Sequence, residues 1–178
     1  EKIKQLTAKA QPIVDEIDKL QNITAEDGEK IESVQKKLAQ LTGEELEYVT
    51  NLKQLEEAQQ LLQVKIEEKN QELAQPVMAQ ITEIGEVTLE KKEQIASADA
   101  AFTELDEQAQ EYVTNLSILR EAQQKLEELE IQQKQEQAAV AIHAIDQIGD
   151  VTTDKESIIA DARAKYDALA EDVRTDRK

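Results

Sequence analysis

The six residues EYVTNL stand at 47–52 and again at 111–116. Their neighbours repeat with them. EAQQ at 57–60 returns at 121–124, Gln11-Pro12 returns as Gln75-Pro76, and Ile84-Gly85-Glu86-Val87-Thr88 returns as Ile148-Gly149-Asp150-Val151-Thr152. Every pair is separated by the same 64 residues. A fixed period decides the architecture before any local reading, because each unit of a tandem array is one supersecondary element that packs on its neighbours. In register, the copies occupy 11–74, 75–138 and 139–178, the third incomplete, and 1–10 matches the tail of a preceding copy. The expectation is a slice of a longer array.

Within each copy the apolar residues recur at helical spacing. The first segment carries Val14, Ile17 and Leu20, then Met78, Ile81 and Ile84, then Ile142, Ile145 and Ile148, with Ile13 and Val77 beside them. Steps of three and four residues line one helical face. Gly85 and Gly149 end this helix in copies two and three, where glycine enters the left-handed region without strain; copy one has Gln21 and a less clean stop. Thr24, Thr88 and Thr152 are expected to cap the next helix by accepting a backbone N–H. Helix two then reads Ile31, Val34, Leu38, Leu41, with Ile95, Ala98, Phe102, Leu105 and Ile159, Ala162, Tyr166, Leu169 in the later copies. The bulky position shared by Leu38, Phe102 and Tyr166 is expected in the middle of the core, but in the incomplete third copy the first two helices bury their stripes only against each other, so Ile145, Ile159 and Tyr166 are expected to remain partly exposed. Thr42-Gly43-Glu44-Glu45 is a capping box, and Asp106 takes the cap position in copy two. EYVTNL is then the start of helix three: Tyr112, Val113, Leu116 and Leu119 lead into Ala122, Leu126 and Leu129, with Asn115 as a second cap. No Gly or Pro lies between Leu116 and Ile148, so one helix of about 33 residues, about 50 Å long, is expected to join copies two and three. Pro76 stands in the matching joint between copies one and two and predicts a kinked continuous helix.

Composition agrees with long helices. The chain has 178 residues, 2% aromatic residues, four Gly, two Pro and no Cys, with a net charge of −18. Copy one holds seven basic and fifteen acidic residues, copy two five and fourteen. A phosphate binder needs a basic surface, so nucleic acid is excluded as a partner class. No segment approaches the roughly 20 apolar residues of a membrane span, so direct membrane insertion is not expected. The absence of cysteine removes disulfides and thiol chemistry.

The predicted fold is all-α: tandem antiparallel three-helix bundles joined by shared or kinked helices into an elongated rod, an arrangement similar to spectrin-like rods. The chain also resembles the tandem three-helix repeats of Gram-positive cell-surface and surface-layer proteins. The resemblance rests on IGEVT and IGDVT, on ADAAFTEL (98–105) and ARAKYDAL (162–169), and on VTN at 49–51 and 113–115. Copy one departs from the pattern with LQNIT at 20–24, and copy three at its end with VRTDRK at 173–178. It implies an extracellular location on a bacterial surface.

Chemistry is sparse. The one histidine, His143, has no second His or Cys with which to hold a metal, and reads as a solvent-facing or rim residue. Glu127, Glu128 and Glu130 form an acidic run without the spacing of a calcium loop. Ala25-Glu26-Asp27-Gly28 reads as an acidic helix start. Asn22-Ile23-Thr24 and Asn115-Leu116-Ser117 match the N-glycosylation acceptor, a match that arises by chance in a bacterial protein. No catalytic, cofactor-binding or metal residue is assigned, no cofactor is expected, and the chain is read as non-enzymatic. Two functions remain. One is a structural stalk or spacer whose partners are neighbouring repeats of the same chain. The other is a module binding a host protein or cell-wall polymer on an exposed helical face, for which the recurring Gln59, Gln60, Gln123 and Gln124 are the candidates. A cytoplasmic coiled coil is the further alternative, disfavoured by the capped turns.

Overall fold

The helix formers segregate as the period demands. The computed structural model describes residues 1–175, and among them regular structure is helical throughout. The elements are α1 (Lys2–Ile17), α2 (Gly28–Leu38), α3 (Gly43–Leu46), α4 (Leu52–Glu83), α5 (Lys92–Glu104), α6 (Glu107–Gln110), α7 (Leu116–Asp146), α8 (Glu156–Asp167) and α9 (Glu171–Thr175). Short 3₁₀ turns at Ala25–Asp27, Leu89–Lys91 and Thr153–Lys155 precede α2, α5 and α8. The starts of α2, α5 and α8, and of α3 and α6, keep the 64-residue step. Of the VRTDRK stretch, Val173 and Arg174 lie in α9, the counterpart of α3 and α6, and 176–178 lie outside the described residues.

Two compact units are present. The first comprises Glu1–Pro76 with Leu105–Val113. Its core gathers Ala10, Ile13 and Ile17 from α1, Ile31 and Val34 from α2, and Leu55 and Ala58 from α4, closed by Ile23 and Val49. Each fully buried isoleucine, leucine or valine of this core contributes roughly 1.5–3 kcal/mol. Lys37 ties α2 to Glu16 of α1 at 2.5 Å, and Lys69 of α4 reaches Glu26 at 2.8 Å. The second unit comprises Val77–Glu104 and the chain from Thr114 onward. Ile81, Ile84 and Leu119 are among its fully buried side chains, and Ala98 and Ala122 are buried too. Arg120 of α7 donates to Asp99 of α5 at 2.9 Å and lies 5.8 Å from the centre of the Phe102 ring.

α4 runs unbroken through Pro76, and α1 through Pro12. Each proline removes one backbone N–H without ending its helix. α7 spans 31 residues, ending at Asp146, two residues short of the expected Ile148.

Several local expectations are corrected. Leu38 and Phe102 are half-buried and Tyr166 is 41% exposed, so the bulky position lines the margin, while Ile17 in copy one and Ile81, Ile84 and Leu119 in copy two are fully buried. In copy three Ala141 and Ala144 are buried and Ile142 is exposed, while Ile145 and Ile159 are partly exposed, as expected of a copy with only two helices to bury them. Ile142 shares its place with Val14 and Met78, both half-buried, so it belongs to the rim in every copy. Thr88 and Thr152 make no side-chain capping bond. Thr24 forms a capping box with Asp27: its side chain faces the Asp27 N–H, and its own N–H and hydroxyl donate to Asp27 Oδ2, each at 2.8 Å. Copy one also has its left-handed residue: Asn22 takes φ +55°, one place after the position of Gly85 (φ +59°) and Gly149 (φ +55°). Asparagine tolerates this region better than other side chains with a Cβ.

Candidate functional site

The asparagine of EYVTNL is a tie between helices. Asn115 stands at the start of α7, yet its side chain makes no capping bond. Its Nδ2 donates to the Met78 carbonyl at 2.9 Å and to Thr82 Oγ1 at 3.1 Å. Asn51 does the same in copy one, donating to the Val14 carbonyl at 2.9 Å and to Asp18 Oδ1 at 2.8 Å. The amide therefore fixes the start of the third helical segment against the first, so the expected cap is a cross-helix bond. Asn115 is thereby committed to internal bonding, and Asn22 is exposed.

The remaining polar chemistry is local. Thr42 and Glu45 form the expected capping box: Thr42 N donates to Glu45 Oε2 at 2.8 Å, and Glu45 N donates to Thr42 Oγ1 at 3.4 Å. Lys9 donates to the buried Glu45 carboxylate at 2.5 Å. That lysine first, then the Thr42 N–H and hydroxyl, hold the Glu45 carboxyl down at about 2. Asp27 is likewise lowered to about 2 by Lys30, then by the Thr24 N–H and hydroxyl. Asp106 accepts from Ala109 N at 2.8 Å in copy two. Lys134 lowers Asp172 and is itself raised by that partner. His143 is exposed on the last turn of α7. In the acidic run, Glu128 pairs with Lys125 at 3.3 Å and Glu130 with Lys92 at 2.7 Å, while Glu127 is exposed. Among the described residues no group of three or more His, Cys, Asp or Glu is placed to hold a metal ion. Gln60 and Gln124 are exposed; Gln59 and Gln123 are half-buried, and Gln123 accepts from Arg120 at 2.8 Å.

The feature that breaks the repeat is a groove between α7 and α8. It has a volume of about 310 Å³ and is lined by Ile145, Ile148, Ile159, Ala162, Arg163 and Tyr166. Position by position, these residues are the counterparts of a closed core. Ile17 and Ile81 are 0% exposed, whereas Ile145 is 42% exposed. Ile31 and Ile95 are buried, whereas Ile159 is half-buried. The face is the one expected to stay partly exposed in the incomplete third copy, and comparison with copies one and two locates it residue by residue. Another groove, at Val140 and Leu169, carries no such contrast: Val140 stands where Pro12 and Pro76 stand, and all three are exposed.

No protein-family model, curated protein or solved structure matches the chain. Among the described residues, no helix is long and apolar enough to cross a membrane.

Proposed function

We propose that the chain is a non-catalytic structural segment: tandem antiparallel three-helix bundles, joined through shared helices into an elongated stalk or spacer of a bacterial cell-surface protein. The observation that carries this reading is the continuity of α4 and α7. Each begins as the last long helix of one 64-residue copy and ends as the first helix of the next. A helix that continues from one copy into the next supports a spacer role, because its backbone hydrogen bonds limit it to gentle curvature except where a proline removes one. The likeness of IGEVT, ADAAFTEL and VTN to Gram-positive surface repeats supports the location. An antibody raised against the chain should label intact cells as strongly as permeabilised ones. Labelling that needs permeabilisation removes the surface assignment, and a cytoplasmic coiled coil then takes its place.

The second reading, a module for a host protein or cell-wall polymer, rests on Gln60 and Gln124, which recur at one exposed position without a core role. Pull-down of peptidoglycan or host serum proteins by the wild-type chain, lost when both glutamines become alanine, would favour it over the stalk.

A further inference from the structure

We propose that the corners formed by α3, α6 and α9 select their own docking helices: the charges on corner and helix match only in the native order, so that similar copies assemble without exchanging partners. The hazard follows from the repeat. Val49-Thr50-Asn51-Leu52 returns as Val113-Thr114-Asn115-Leu116, and Asn51 and Asn115 make the same cross-helix tie. Features that recur cannot tell one copy from another. Similar units are prone to exchange, within a chain or between chains. Discrimination must come from residues that differ.

The corners differ where they meet a helix. α3 docks on the start of α1, where Lys2 pairs with Glu44 at 2.7 Å and Lys9 with the buried Glu45 at 2.5 Å. One period on, Ile66 and Leu73 of α4 take the places of Lys2 and Lys9, and Gln108 and Ala109 of α6 take those of Glu44 and Glu45. α6 lies in one compact unit with this part of α4, and Ala109 is fully buried. A further period on, the places are held by Glu130 and Gln137 of α7 and by Asp172 and Val173 of α9. Asp172 pairs at 2.5 Å with Lys134, one helical turn beyond Glu130. Each joint is matched: a basic helix takes an acidic corner, an uncharged helix takes an uncharged corner, and a lysine displaced by one turn takes Asp172.

Crossed joints are not matched. α3 on α4 sets Glu45 against Leu73, with no lysine for a buried carboxylate. α3 on α7 sets Glu44 against Glu130, a like charge, and Glu45 against Gln137. A buried charge stripped of its partner costs far more than an exposed pair gains. α6 on α1 leaves Lys2 and Lys9 hydrated but unpaired, so the first joint is selected by what Glu45 gains from Lys9 and Ala109 does not. Corner matching depends on the repeat alone and not on where the protein acts.

The test uses the full chain, which has no cysteine of its own, refolded from urea in dilute solution and then treated with a short bismaleimide. Lys2→Cys with Glu44→Cys reports α3 on α1. Lys2→Cys with Gln108→Cys reports α6 on α1, within or between chains. With Lys9 and Glu45 in place, the 2–108 product should be minor beside the 2–44 product. Lys9→Leu with Glu45→Ala gives the first joint the residues of the second, and the ratio of 2–108 to 2–44 product should rise about tenfold, the worth of a bond between charged groups at a buried site. Leu73→Lys with Ala109→Glu gives the second joint the residues of the first. It should raise the ratio by a similar factor while Lys9 and Glu45 are untouched. Lys9→Arg should keep the ratio low. Helical circular dichroism of each variant checks that it folds. An abundant 2–108 product in the reference chain overturns the proposal, as does a ratio that neither double change raises. A rise with Lys9→Leu and Glu45→Ala alone also overturns it, because the pair then stabilises its corner without selecting it.

Discussion

Ile81 and Ile145 occupy the same place in successive copies, and their truncation should have unequal consequences. Each Ile→Ala change removes three carbons, worth about 0.8 kcal/mol apiece when fully buried. Ile81 is 0% exposed, so the whole transfer term applies, and the vacated space adds a cavity term. The expected loss for Ile81→Ala is about 3–4 kcal/mol. Ile145 is 42% exposed, which removes nearly half the transfer term, and an open groove leaves no enclosed cavity. Alanine is also the better helix former. The expected loss for Ile145→Ala is about 1 kcal/mol. Urea unfolding followed by far-UV circular dichroism measures both, with Ile17→Ala as a further buried reference. Losses within about 0.5 kcal/mol of each other would refute the reasoning, because the groove would then be as closed as the two cores.

Gly85 holds φ +59°, so Gly85→Ala should destabilise by about 1 kcal/mol or more, whereas Gly43, with nothing within 4 Å of its would-be Cβ, should accept alanine without loss in thermal melts. The Glu45 carboxyl is held at about 2 against an ordinary 4.5, so between these values the unfolded chain binds more protons than the folded one. Its stabilisation is complete above the ordinary value and is lost as pH falls towards the folded one. Urea midpoints across that window should therefore fall less steeply for Glu45→Gln than for the wild type; equal slopes would remove Glu45 from the account. Deleting 75–138, one full period, joins Ala74 to Ala139 in helical register and should leave helicity per residue and cooperative unfolding intact, whereas deleting 75–106 should lose both.

The period, the helical class and the long joint after Leu116 were legible because repetition and spacing are properties of the chain itself. Gly85 and Gly149 were legible as turns because only glycine enters the left-handed region at little cost. Asn22 was missed because it does so one place later than the repeat register indicates. Asn51 and Asn115 were legible as helix-start residues, but their partners lie on another helix, and a position in sequence does not state which carbonyl a side chain will meet. Leu38, Phe102 and Tyr166 were placed in the core by size. Size does not reveal that Arg120 lies over the Phe102 ring at the margin. The groove at Ile145 was legible because the third copy has only two helices to bury its apolar stripe.

Small-angle X-ray scattering of the chain in dilute solution tests the rod most directly. A compact globule of this length has a radius of gyration of about 16 Å. The proposed stalk predicts a monomer well above that value, with a distance distribution skewed to long vectors. A symmetric distribution with a radius near that value would contradict the proposed shared-helix stalk.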